Sequence, residues 1–188
     1  MANILYFNLT NVKEAKGGRP QTVMFEGADV KPNGSIVTLG ATMEKPNADR
    51  ELDHVHAVTF GALESVIGKW VIAAPEIVEE QYRMISDKAW KFALQPNETY
   101  AAYQLQALDR LEYSEAHFEN FTGLAVGDFV NINAKGKFEK KSGGNATNAA
   151  FRVVTILDVN KPVVLEANKK DVAFIPQLGK MVKLEVVR

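Results

Sequence analysis

The apolar residues of this 188-residue chain come in short runs, and turn-forming residues separate one run from the next. Thr22-Val23-Met24-Phe25-Glu26 is one such run. Ser35-Ile36-Val37-Thr38-Leu39-Gly40 is another, and it follows Lys31-Pro32-Asn33-Gly34, where Pro presets its own φ while Asn and Gly both tolerate positive φ. Runs this short, rich in β-branched and aromatic residues, suit pleated strands better than helices. Residues 22 to 40 therefore read as a hairpin with a longish loop.

The pattern continues along the chain. Val55, Ala57 and Thr59 alternate with His54, His56 and Val58, and Lys69 to Ala74 is a short apolar run that ends at Pro75. Tyr100 to Ala107 alternates as a strand with one better-buried face, and Leu111 to Ser114 can pair with it or with a neighbour. Val126, Phe129, Val130 and Ile132 precede a turn at Ala134-Lys135-Gly136 that leads into Lys137-Phe138-Glu139-Lys140. Phe151 to Val159, Val163 to Leu165, Val172 to Ile175 and Met181 to Val187 supply further strands, with Asn160-Lys161-Pro162 as a turn between the first two. One segment breaks the pattern. Pro75 opens it, Glu76, Glu79 and Glu80 suit the positive end of a helix dipole, and Val78, Tyr82, Ile85, Ala89 and Phe92 recur at helical spacing. The expected fold is mainly β with one helix (α+β), an N-terminal β-rich unit followed by a small C-terminal β-barrel or sandwich.

Charge marks the same division. The net charge of −1 hides 11 basic against 17 acidic residues up to Asn120, and 11 against 6 from Phe121 onward. The reversal near Asn120-Phe121-Thr122-Gly123 predicts a boundary, giving residues 1–25 as an extended arm or first strand, 26–120 as a β-rich unit with the helix, and 121–188 as a small basic β unit. Opposite-signed parts can meet within one chain or head to tail between copies.

Catalytic chemistry finds little support. The chain has no cysteine, which removes disulfides, thiolate nucleophiles and Cys-type metal sites. His54-x-His56 would place two rings on one face of a strand, with Glu51 and Asp53 nearby, but two histidines do not make a metal site. Neither Gly17-Gly18 nor Gly143-Gly144 continues into a phosphate-cradling loop, and no serine stands in a G-x-S-x-G context. No enzyme activity, metal or cofactor is expected. Met1 to Thr10 lacks the basic start and apolar run of a secretion signal, and no stretch approaches the roughly 20 apolar residues of a membrane helix, so the expectation is a soluble chain in a reducing cytoplasm with no membrane partner.

Nucleic acid is weighed because Lys135, Lys137, Lys140 and Lys141 cluster on a hairpin that holds Phe129 and Phe138. A stacking platform needs an exposed aromatic, for which Phe138 is the candidate while Phe129 fills the core. With near-zero net charge, nucleic acid is not the expected partner, and the lysines suit the polar rim of a protein contact.

The order of features also resembles a known group. Asn33-Gly34-Ser35-Ile36-Val37-Thr38-Leu39-Gly40, the step Trp70-Val71-Ile72-Ala73-Ala74-Pro75-Glu76, and Leu124-Ala125-Val126-Gly127-Asp128-Phe129-Val130 with Lys135-Gly136-Lys137-Phe138 together resemble head decoration or capsid-stabilising proteins of tailed bacteriophages. The resemblance implies a structural protein of the virion, made in the host bacterial cytoplasm, that binds the major capsid protein on the outside of an assembled capsid and bridges its subunits. A homo-oligomer is compatible with that role. The docking element expected from the sequence is the apolar stretch with Ile4, Leu5, Tyr6, Phe7 and Leu9, which could add to an exposed sheet edge on the partner or be the first strand of its own fold. The alternative role is a tail, baseplate or host-surface binding module with an aromatic groove near Trp70, Trp90 or Tyr100.

Overall fold

A computed structural model of the chain describes residues 7–12, 20–43, 54–74, 93–141, 149–164 and 174–188. Among these residues, thirteen strands carry the architecture. Five of them, β2 (Gln21–Met24), β4 (Ile36–Thr42), β5 (Val55–Thr59), β6 (Trp70–Ile72) and β8 (Tyr100–Gln104), close into a barrel in the order β2-β5-β4-β6-β8. Only β2 and β5 run parallel. Period-2 alternation turns Val23, Val37, Ile72 and Ala102 into the barrel core, where Phe25 meets Phe60 edge-on at 5.2 Å between ring centroids. A short pair, β3 (Lys31–Pro32) and β7 (Ala93–Leu94), lies outside the barrel ladder.

The remaining strands are β1 (Phe7–Asn11), β9 (Arg110–Ser114), β10 (Phe129–Ile132), β11 (Phe138–Lys140), β12 (Phe151–Val164) and β13 (Phe174–Val186). They form one antiparallel sheet in the order β1-β9-β13-β12-β10-β11. Leu111, Tyr113, Val182, Leu184, Phe151 and Val153 alternate onto its inner face, and Ile36 and Val71 of the barrel belong to the same buried cluster. Barrel and sheet therefore share a core. Tyr113 lies at its centre, with Phe138, Phe7 and His117 rings at 4.5, 4.9 and 5.0 Å.

A polar knot ties the Lys31–Gly34 turn to that core. Asn33 Nδ2 donates to Ala74 C=O at 3.1 Å, and its Oδ1 accepts from Ala74 N–H at 3.0 Å, which satisfies the buried amide from both sides. Tyr113 O–H donates to Gly34 C=O at 2.8 Å. Burial pushes the Tyr113 phenol well above its usual range, so it remains a donor. His117 follows on a 3₁₀ turn, Glu115–His117, with Nδ1 3.2 Å from Ser114 Oγ and Nε2 3.3 Å from the Asn33 carbonyl.

The β-rich expectation holds, but the arrangement differs from the sequence reading. The closed barrel comes from residues 21–104 and not from the C-terminal third, whose strands join an open sheet. Residues 22 to 40 do not form a hairpin, because β5 inserts between β2 and β4. The sheet draws strands from all three expected segments: β9 pairs with β1 across the boundary at residue 25, and with β13 across the charge reversal near Asn120. Asn160-Lys161-Pro162 is no turn; the four expected C-terminal strands are two long ones. Among the described residues the only helical element is the 3₁₀ turn, and the helix expected from Glu76 into the low 90s lies outside them.

Candidate interaction surface

Of the five residues expected to dock, Ile4, Leu5 and Tyr6 lie outside the described residues. Phe7 and Leu9 stand in β1, paired with Tyr113 and Leu111 of β9. Phe7 is buried against Tyr113 and Leu9 packs on the same cluster, because the pleat sends both toward the core. These two side chains are thus spent on the chain's own fold.

The basic hairpin is also arranged differently from the sequence expectation. Phe138 is buried in the aromatic cluster, 5.2 Å from Phe118 and 5.5 Å from Phe151, whereas Phe129 is half-buried. Lys135 Nζ lies 2.5 Å from Glu119 Oε1, and Lys140 Nζ 2.7 Å from Asp128 Oδ2. The hydrogen bonds from those lysines hold both carboxyls below the usual range. Two of the four clustered lysines are thereby paired with carboxylates of the chain itself.

His56 Nδ1 lies 3.1 Å from Gly40 C=O on the barrel wall, and among the described residues no three His, Cys, Asp or Glu side chains group to hold a metal. Trp70 packs partly buried against the barrel core, and Tyr100 is buried with its O–H donating to Glu98 Oε2 at 2.9 Å. Burial raises the Tyr100 phenol to about 12. Trp90 lies outside the described residues.

The outer face of the sheet is built from charges at the alternate positions. Glu185 of β13 receives Arg110 of β9 at 2.8 Å and Arg152 of β12 at 2.6 Å, while Lys183 pairs with Glu112 at 3.0 Å. Burial beneath the two guanidiniums acts to raise the Glu185 carboxyl, but their hydrogen bonds outweigh it and hold the group below its usual range. Both arginines keep about half of their surface in water, at 44% and 50%. The clamp fastens three adjacent strands at the base of β12 and β13.

Above that base the two long strands leave the sheet. β9 pairs with β13 only as far as Met181, and β10 with β12 only at Phe151 and Arg152. Seven residue pairs, from Asp158↔Lys180 to Val164↔Phe174, continue as a two-stranded ribbon that no other described strand flanks, a reach of roughly 20 Å.

The ladder shows which backbone groups face outward on this ribbon. Val186 turns both its groups to the β9 side, its N–H donating to Asp109 C=O at 2.8 Å and its C=O accepting from Leu108 N–H at 3.0 Å. Antiparallel hydrogen bonding alternates along a strand. Leu184, Val182, Lys180, Leu178 and Pro176 therefore face that same side, which beyond β9 is the ribbon's outer edge. Pro162 stands directly opposite Pro176 and faces the other outer edge. A proline has no N–H to give. Both edges of the ribbon thus lack a donor at the same level, which blunts them against added strands. Pro162 signalled a turn in the sequence; its use as an edge guard becomes visible only with the register.

No protein family, curated protein or solved structure matches the chain. Among the described residues no helix is long and apolar enough to cross a membrane.

Proposed function

We propose that this chain is a virion structural protein that binds the outside of an assembled tailed-phage capsid, with the major capsid protein as its partner, and stabilises it. The observation that carries the reading is the β12–β13 ribbon, which no other described strand flanks. A two-stranded hairpin is marginal by itself in water, so an element that leaves its sheet for seven residue pairs gains most when a partner surface receives it. Its proline-guarded edges disfavour open-ended strand stacking and so favour a specific contact. The three sequence stretches that resemble phage decoration proteins point the same way, and two of them, around Asn33–Gly40 and Trp70–Ala74, build the barrel wall next to the shared core.

The role follows from mass action. A ligand that binds the assembled lattice and not its free subunits stabilises the lattice, and many equivalent sites let modest contacts act together. The chain would be made in the bacterial cytoplasm and end on the capsid surface. Purified chain mixed with empty capsids of the encoding phage is expected to co-sediment with them at micromolar concentration and to raise their melting temperature. Chain left wholly in the supernatant would overturn the proposal.

A further inference from the structure

We infer that the outer edge of β1 pairs with β1 of a second copy, antiparallel across a two-fold axis at Asn8. The inference rests on the sheet's edges and stands apart from the capsid reading.

The barrel and the other edges of this sheet are closed or guarded. The barrel strands pair on both sides. β11 is three residues long and carries Glu139 and Lys140, and Phe118 bridges it at Phe138, whose carbonyl accepts from Glu119 N–H at 2.9 Å. The ribbon has its opposed prolines. β1, Phe-Asn-Leu-Thr-Asn, has neither proline nor lysine nor any charge, and no described strand pairs with its outer side.

Alternation fixes what that side offers. Val182 and Leu184 turn toward β9 and exchange bonds with Tyr113 and Leu111, so Glu112 turns the other way, to Asn8. Phe7 and Leu9 are left with N–H and C=O pointing out from the sheet.

A second copy fits this edge better than an unrelated strand for two reasons. Two residues with outward groups, spaced by one, are self-complementary under a two-fold axis: Phe7 pairs with Leu9 of the partner copy and Leu9 with its Phe7, so four hydrogen bonds use all the outward groups of Phe7 and Leu9. The pairing also consumes both edges at once, whereas an added foreign strand would leave a new edge behind it. An uncharged strand meets itself with no like-charge repulsion.

Sedimentation equilibrium of the intact chain at high micromolar concentration is expected to show a dimer. The absence of native cysteine makes a single-cysteine cross-link clean. At Asn8 the two Cα atoms would face each other as a non-hydrogen-bonded pair about 4.5 Å apart, inside disulfide range. Asn8→Cys should therefore cross-link to dimer under mild oxidation, and Glu139→Cys on the opposite edge should not. Leu9→Pro removes an outward donor without touching the β9 ladder, and dimerisation should weaken about tenfold or more with unchanged circular dichroism. A wild-type monomer at that concentration, or Glu139→Cys cross-linking as readily as Asn8→Cys, overturns the inference; the cross-link decides should Leu9→Pro fail to fold.

Discussion

Gly34 shows how much one residue can hold. Its φ of +85° lies in the left-handed region, and a Cβ there would collide with the Phe7 ring and come within 2.9 Å of Tyr113 Cε1. Its N–H donates to Ile72 C=O at 2.9 Å and its C=O accepts from Tyr113, so the backbone is pinned on both sides. Gly34→Ala combines backbone strain with overpacking and should cost about 2–5 kcal/mol, read as a lowered urea midpoint with the slope unchanged. His117 sets an acid limit on the same knot. Burial holds its ring down at about 4, against an ordinary value of 6.5, with Lys137 adding to the effect. The unfolded chain takes up a proton between pH 6.5 and pH 4 that the folded chain refuses. Stability is therefore complete above pH 6.5 and declines as the pH falls through that window, by on the order of 3 kcal/mol. Urea midpoints at pH 7.5 and 4.5 check this, and His117→Gln should flatten the difference; an equal slope in that variant would assign the loss elsewhere. In the sequence Asn33-Gly34 was legible as turn chemistry, but nothing local announced that Tyr113 and His117, some 80 positions on, would close over it.

At the scale of elements, strand existence was legible and strand pairing was not. Val55–Thr59, Trp70–Ile72, Tyr100–Gln104 and the β10–β11 hairpin fall where alternation and turn residues put them. Adjacent runs were expected to pair with each other, yet β5 separates β2 from β4, since alternation says which residues share a face and not which strand lies beside them. The same blindness interchanged Phe138 and Phe129: two aromatics on paired short strands look alike until the register decides which one turns inward. Pro162 and Pro176 belong to this scale too. Replacing both with threonine, which fits a strand and restores an N–H on each outer edge, should leave the ribbon folded and make the chain aggregate faster. Light scattering over time checks it, and an unchanged rate would remove the guarding role from the prolines.

At the scale of the whole molecule, the near-zero net charge conceals two oppositely charged parts that the fold joins: acidic and basic segments meet within one sheet where Glu112 pairs Lys183 and Arg110 clamps Glu185. The boundary predicted from charge was a real change of composition that did not coincide with a break in hydrogen bonding. Only two of the five residues expected to dock, Phe7 and Leu9, are among the described ones. An apolar N-terminal stretch reads equally well as an arm or as a strand, and Phe7 and Leu9 went to the core, while the β12–β13 ribbon is an element that no other described strand flanks. The most direct measurement is capsid co-sedimentation of a chain in which residues 160–178 are replaced by Asn-Gly, a two-residue turn suited to the hydrogen-bonded pair Val159↔Gly179. The shortened chain is expected to fold and to stay in the supernatant while the intact chain pellets with empty capsids; a shortened chain that pellets as well as the intact one would overturn the docking role of the ribbon.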